Sequence, residues 1–233
     1  MQLFYQPQIP EGMLQLTEEE SRHAVKVLRL VNGDELHLTD GKGSFYRARI
    51  SDAHPKRCAF EILNQDKVAS HPTYRQIAIA PTKNIDRIEW FVEKAVEFGI
   101  DRISPLLCDH SERRVVKTER LVRKAVSAMK QSLKAWMPQI DELTAFHDFM
   151  ASQEADTKMM AYVDHDNPNL LKDQIKATVH HLVLIGPEGD FSENEVNLAL
   201  EQGFQKVSLG PSRLRTETAG IAAIHLLNLQ GSL

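Results

Sequence analysis

The sequence predicts an α/β protein: a C-terminal α/β domain on a largely parallel sheet, preceded by a small β-rich domain. Three observations carry that expectation. From Gln76 onward, short apolar segments alternate with segments of helical spacing, the pattern of strands covered by helices on both faces. Before residue 64 the strand-like segments alternate apolar and polar residues, as half-exposed antiparallel strands do. Residues 64–73 are polar, contain Pro72 and show no periodicity, which marks a linker. The expected domains are therefore 1–70 and 74–233.

Near the start, Thr17-Glu18-Glu19-Glu20 is a capping-box pattern ahead of a helix over 21–30, whose apolar stripe is Ala24, Val25 and Leu28. Asn32-Gly33 ends it. Segments 35–39 and 45–50 read as strands flanking Asp40-Gly41-Lys42-Gly43, and 58–63 alternates like a third. In the second region, 76–80 is an apolar strand. Helical spacing follows over 86–98 at Ile88, Phe91, Val92, Ala95 and Val96, with Gly99 as the stop. Segment 102–108 is a strand, and 118–137 reads as a long helix before Pro138. Strands at 158–163, 181–185 and 206–209 then alternate with helices at 170–176, 192–202 and 216–229. The last helix is apolar nearly all round, from Ala219 and Ile221 to Leu227 and Leu229, so it must be buried on more than one side.

With 42% hydrophobic and 26% charged residues and no apolar run near the roughly 18 residues of a membrane span, the chain reads as a globular protein that neither spans nor anchors. Its first ten residues lack the basic start and apolar stretch of an export signal, so a cytoplasmic location is expected. Cys58 and Cys108, fifty positions apart, suit buried thiols better than a disulfide or a zinc pair. The net charge of −4 is unevenly spread. Residues 102–134 hold nine Lys or Arg against three Asp or Glu, a local +6, whereas everything from 135 onward sums to −8. A basic central third suits phosphate contacts; it equally suits a solvated helix face.

The spacings of dinucleotide-binding, P-loop, serine-hydrolase and zincin motifs are all missing. His147, His165, His180 and His181 show no ligand spacing, so no metal is expected. What stands out is a pair of loops after apolar strands: Gly186-Pro187-Glu188-Gly189-Asp190-Phe191-Ser192, leading to a helix with Ser192 and Glu195 in capping-box spacing, and the run from Leu209-Gly210-Pro211 to Ala219. In parallel sheets ligands bind at the strands' C-terminal ends. Glycine and proline there allow close backbone approach to an adenine edge; they also make ordinary tight turns.

At these loops the sequence resembles the bacterial 16S ribosomal RNA (uracil-N3)-methyltransferases, within the SPOUT group of knotted methyltransferases. The resemblance is carried by Ile185-Gly186-Pro187-Glu188-Gly189 together with Leu209-Gly210-Pro211 and Leu214-Arg215-Thr216-Glu217-Thr218-Ala219. His23 with Val27-Leu28-Arg29 and Gly33-Asp34 resembles the opening of that family's PUA-like domain. Lys83, Glu89, Lys94, Glu97 and Gly99 resemble the entry to its catalytic domain, and Ser111-Glu112-Arg113 and Gln131-Ser132 also match. Three positions depart from the pattern: Asp190 in place of a third glycine, Ser212-Arg213 in place of Arg-Ile, and Lys130 where an acidic residue often precedes Gln131.

The resemblance implies a PUA-like β-barrel ahead of a SPOUT α/β domain with a deep trefoil knot, an exception to the unknotted rule. It implies S-adenosylmethionine as cofactor, held by Ile185, Gly186, Pro187, Glu188 and Gly189 on one side and Leu209, Gly210 and Leu214 on the other. Thr216 and Thr218 fit two roles, hydroxyl contacts to the cofactor and caps of the final helix. The reaction implied is methylation of N3 of a uridine in 16S rRNA, free or in the small ribosomal subunit, by a homodimer. Arg215 would then stabilise charge on a uracil carbonyl and Glu217 accept or orient the N3 proton. Glu217 also fits a plain first-turn acid at a helix N-terminus. Arg22, His23, Lys26, Arg29, Lys83 and Arg113 are the expected RNA contacts, and a solvated face is the other reading for Arg22 and Lys26. Two further functions stay open: methylation of another RNA position, such as a ribose oxygen, and a non-catalytic RNA-binding role in ribosome assembly.

Overall fold

The computed structural model describes residues 2–163, 169–177 and 179–230, so His165 lies outside the described residues. The chain divides into two compact units, one made of Met1–Ser70 with Val126–Met137, the other of His71–Ala125 with Pro138–Leu233. Segment 126–137, which a linear division assigns to the catalytic region, thus belongs to the first unit.

In the first unit, β1 (Leu3–Tyr5) pairs parallel to β2 (Glu35–Thr39), and β2, β3 (Ser44–Asp52) and β4 (Ala59–Lys67) form an antiparallel meander. Sheet order is β1-β2-β3-β4, with an isolated bridge from Gln15 to Ala59 extending the β4 side. Beyond the four strands, residues 14–16 continue the sheet alongside β4, with Leu16 N–H donating to the Cys58 carbonyl and Phe60 N–H to that of Leu14 (2.9 and 3.0 Å). Phe4, Leu36, Leu38, Ala48, Ile50 and Phe60 fill its core. The helix expected over 21–30 is shorter: α1 (Glu18–Arg22) is capped by Thr17, whose side chain accepts from the Glu20 amide. It gives way to a π-helical turn over His23–Val27. Arg29 then takes a left-handed φ of 59°, which breaks the helix before Asn32-Gly33.

The second unit is a parallel sheet. Its strands are β5 (Tyr74–Ile79), β6 (Arg102–Leu107), β7 (Gln139–Ile140), β8 (Thr144–Ala145), β9 (Thr157–Ala161), β10 (His180–Ile185) and β11 (Gln205–Val207). The order is β11-β9-β10-β5-β6-β7, with β8 also on β6. The unit's helices are α2 (Ile85–Phe98), the part of α3 (Thr118–Gln131) up to Ala125, α4 (Phe146–Met150), α5 (Leu171–Gln174), α6 (Glu193–Glu201) and α7 (Thr216–Gln230). The central strands β5 and β10 are buried almost end to end: their apolar halves, residues 77–79 and 182–185, lie in the core, and the buried Arg75, Gln76 and His181 bond to Asp101, Ser104 and the Lys176 carbonyl. Helix α7 lies over β5 and β10 and against α2. Gly220 makes that contact possible, since a Cβ there would stand 2.5 Å from the Phe91 ring and 3.0 Å from Ile79.

Helix α3 stops at Gln131, six residues short of the expected end. Leu133 has φ 52°, and from there the chain is captured by the 40–43 turn of the same unit. Gly43 N–H donates to the Ala135 carbonyl (3.0 Å), and Met137 N–H donates to that of Gly41 (2.9 Å). Helical spacing in 132–137 could not reveal this, because the competing partners are some ninety residues away. Much of the basic central third is spent internally: Arg102 on Asp141, Arg120 on Glu89, Lys124 on Glu93 and Lys130 on Glu20. Both cysteines are buried free thiols, and burial pushes Cys58 up to about 11 and Cys108 higher still.

Candidate functional site: a cavity between two glycine-proline loops

Strand β10 ends at Ile185, and the chain turns at once through Gly186 and Pro187 into the loop ahead of α6. Gly186 fits closely there: a Cβ would stand 3.1 Å from the Phe191 ring and 3.2 Å from Asp190 Oδ1, so both side chains would have to give way. The turn closes with Asp190 N–H donating to the Pro187 carbonyl (3.0 Å). Asp190 has φ 61°, a left-handed conformation that explains why glycine is usual at this position and why aspartate, tolerant of it, can replace it. Its Oδ1 accepts from the Phe191 amide (2.9 Å), while burial raises its pKa. Ser192 and Glu195 form a complete capping box at the start of α6.

The second loop leaves β11 through Ser208, whose hydroxyl accepts from Gly210 N–H (3.2 Å), and Gly210 has φ 117°. The two loops are joined at the head of α7. Thr216 Oγ1 donates to the Gly186 carbonyl (3.1 Å), which commits the hydroxyl proton and leaves the oxygen free only to accept.

Between the loops lies a cavity of about 1020 Å³, lined among others by Ile185, Gly186, Pro187, Glu188, Leu209, Gly210, Leu214, Arg215 and Thr216. That is ample for a nucleoside-sized ligand. The peptide groups of Leu209 and Leu214 have no protein hydrogen-bond partner among the described residues. They are therefore available to a heterocycle edge. Glu188 is oriented by the Lys83 amide, which donates to its Oε1 (3.1 Å).

Residues 70–228 match the model of an RNA methyltransferase domain, and residues 16–63 that of an RNA methyltransferase PUA domain. The chain belongs to the RNA methyltransferase family. It is 29% identical over 231 residues to the ribosomal RNA small subunit methyltransferase E of Synechocystis, covering 95% of this chain and 74% of that one. To the Rickettsia conorii protein of the same name it is 28% identical, covering 94% and 91%. Among solved structures, a probable rRNA-methyltransferase from Porphyromonas gingivalis is 44% identical with a TM-score of 0.90, covering 100% of this chain and 99% of that one. The Neisseria gonorrhoeae ribosomal RNA small subunit methyltransferase E bound to S-adenosyl methionine is 28% identical with a TM-score of 0.85, covering 98% and 97%.

In this RNA methyltransferase two expected cofactor residues fall outside the cavity lining. Gly189 is exposed and packs on His110, whose Nδ1 lies 3.0 Å from the carbonyls of Gly189 and Asp190. Thr218 is exposed on α7. Arg215 lines the cavity, whereas Glu217 is buried behind it, with Arg87 Nε 3.8 Å from its Oε1. Arg87 itself lines the cavity, a role no local signal reveals, since an arginine in the first turn of an amphipathic helix reads as solvated surface. Glu217 Oε2 is buried without a hydrogen-bond donor.

The expected RNA contacts divide between the units. Arg22, Lys26 and Arg29 are exposed in the first, with Arg22 in a 3.5 Å pair with Glu18, and His23 is half-buried with its ring against Phe4. In the second, Lys83 pairs with Glu112 (2.8 Å), and Arg113 donates to the Thr82 carbonyl (3.0 Å) and to that of Lys83. Arg113 is thereby a brace for the 82–83 turn. His180 and His181 sit at the opposite strand ends, bound to Gln76 and to Thr157 and the Lys176 carbonyl. Burial lowers the pKa of both.

Proposed function

We propose that this RNA methyltransferase transfers the methyl group of S-adenosylmethionine to N3 of one uridine in the 16S rRNA of the small ribosomal subunit. The observation that carries the reading is the cavity between the two loops, with unpartnered peptide groups at Leu209 and Leu214, charged groups at Arg87 and Arg215, and Glu217 behind it beside Arg87. The names of the relatives and the cofactor in the Neisseria gonorrhoeae structure support it.

S-adenosylmethionine supplies a methyl group already activated on a sulfonium, so the chain's own work is positioning and electrostatics. Leu209 and Leu214 offer peptide N–H and C=O groups to the adenine edge, and Gly186 and Gly210 keep the walls free of side chains. The acceptor N3 carries a proton and sits on the pairing edge, so the uridine must be unpaired to react. Glu217 Oε2 is buried behind the cavity and lacks a donor, so it would accept the N3 proton once a rearrangement opens it to the bound uridine. Arg87, 3.8 Å from Glu217 Oε1, orients that carboxylate, and Arg215 neutralises charge gathering on a uracil carbonyl.

The same reading includes a cytoplasmic homodimer, a trefoil knot formed by the 186–219 region, and RNA held by Arg22, His23, Lys26, Arg29, Lys83 and Arg113. Gly189 and Thr218 then act by shaping the loop and the start of α7. No helix among the described residues is long and apolar enough to cross a membrane. Calorimetric titration with S-adenosylmethionine, followed by transfer of labelled methyl to small subunits lacking the modification, tests the proposal. Binding with label in the RNA is the expected result, and cofactor binding with no label in any ribosomal RNA would overturn it.

A further inference from the structure

The first unit carries a cavity of its own, about 630 Å³, walled by the 40–46 turn, β4 and Trp136. One wall is polar and rigid. Asp40 is 2% exposed, and its Oδ1 accepts from the amides of Lys42 (2.7 Å) and Ser44 (3.1 Å) while Oδ2 accepts from the Tyr46 hydroxyl (3.0 Å). Gln65 Nε2 donates to Ser44 Oγ (3.1 Å) and Tyr46 Oη (3.3 Å), which fixes the amide. Its Oε1 is left with no protein donor among the described residues.

The apolar part of the lining is open: Trp136 is 43% exposed, Val68 40% and Ile62 39%. The indole is held in place, with its N–H donating to the Val68 carbonyl (3.2 Å) and its six-membered ring lying on Gly43, where a Cβ has no room. A tryptophan so anchored cannot turn inward to bury its exposed surface. Lys42 is paired with Glu11 (2.8 Å), but Lys67 has no carboxylate within 4.0 Å among the described residues.

An anchored, exposed indole, an amide with a free acceptor and an unpaired ammonium are the three elements of nucleotide recognition: a surface for the base, a partner for its edge and a charge for its phosphate. The volume suits one nucleotide. We propose that this cavity is a subsite for a single unpaired nucleotide of the RNA substrate, with the base on Trp136, its edge on Gln65 and its phosphate on Lys67. The proposal rests on RNA being the substrate, as argued above, and adds a contact none of the expected RNA residues supplies.

The chain has two tryptophans, so in the full-length Trp90→Phe protein Trp136 is the sole indole fluorophore. Short single-stranded RNA should quench it saturably. Lys67→Glu should weaken that binding about five-fold or more, and Gln65→Leu should change the ranking among A, C and U homopolymers. Trp136→Leu, followed by filter binding, should lose a similar factor, about that of one stacked base. In methyl transfer, Lys67→Glu should raise KM for the RNA with kcat and cofactor affinity retained.

RNA that binds without quenching Trp136 would overturn the subsite, as would an unchanged KM in Lys67→Glu. Nucleoside monophosphates binding as tightly as the oligomers, with KM unchanged, would assign the cavity to a free nucleotide and equally overturn it. Fluorescence reads the subsite independently of methyl transfer, so failure of the proposed reaction and failure of the subsite give different results.

Discussion

Thr216 Oγ1 donates to the carbonyl of Gly186 across thirty residues of chain, tying the loop after β10 to the first residue of α7. Both residues are buried at the edge of the cavity. Thr216→Val keeps the shape and removes the donor, stranding a buried carbonyl at a cost of about 1–3 kcal/mol. The expected result is a lower melting temperature and at least several-fold weaker S-adenosylmethionine binding by calorimetry, with Thr216→Ser close to wild type.

Arg87 on α2 lies 3.8 Å from Glu217 on α7. Glu217→Gln, Arg87→Ala and Arg215→Ala should each lower single-turnover methyl transfer by 10²-fold or more while leaving cofactor affinity within a few-fold. Wild-type rates in Glu217→Gln and Arg215→Ala would remove both from the reaction.

Gly220→Ala would ordinarily stabilise a helix by about 1 kcal/mol. Here the added Cβ meets Phe91 at 2.5 Å, and overpacking costs about 1–3 kcal/mol, so the net sign reverses. Urea denaturation should show the variant to be less stable than wild type, and Gly220→Val worse than Gly220→Ala.

The raised pKa of Asp190 comes first from burial, so the folded protein holds this proton more tightly than the unfolded chain. Its contribution to stability is full below the ordinary value of 3.8 and is lost as pH rises through the folded pKa. Asp190→Asn tolerates the same φ and keeps an oxygen for the Phe191 amide, but does not titrate. Melting temperatures measured from pH 3 upward should therefore show the variant gaining on wild type as pH rises through the folded pKa; parallel curves would contradict the shift.

Lys130 departs from the resemblance, and Glu20 compensates: the two form a largely buried ion pair in the first unit, leaving Glu20 Oε2 with no further partner. Lys130→Met should cost about 3–5 kcal/mol by leaving a buried carboxylate unpaired, and the double variant Glu20→Leu with Lys130→Met should recover most of it. Denaturation midpoints of the three proteins test this directly.

The parts legible in the sequence are those whose signal is local. The apolar run of β10, the Gly186-Pro187 turn, the Ser192 and Glu195 capping box and the periodicity of α2 each need only neighbouring residues to be understood. What escaped depends on distant partners. Strands β7 and β8 are two residues long and exist only because β6 is beside them. Residues 132–137 leave the helix to join the 40–43 turn, and Arg87 gains meaning only from Glu217, 130 positions later. Glu20 reads as a capping acid, yet its carboxylate is committed to Lys130. Gly189 and Thr218 belong to the right motifs, but the turn of one loop and the phase of one helix carry them away from the cavity.

The central claim is the atom that receives the methyl group. Small subunits lacking the modification, incubated with this protein and labelled S-adenosylmethionine, then digested and mapped by mass spectrometry, should yield 3-methyluridine at one position of 16S rRNA. A 2′-O-methylated or any other labelled nucleoside would contradict the assignment of N3 and with it the roles given to Arg215 and Glu217.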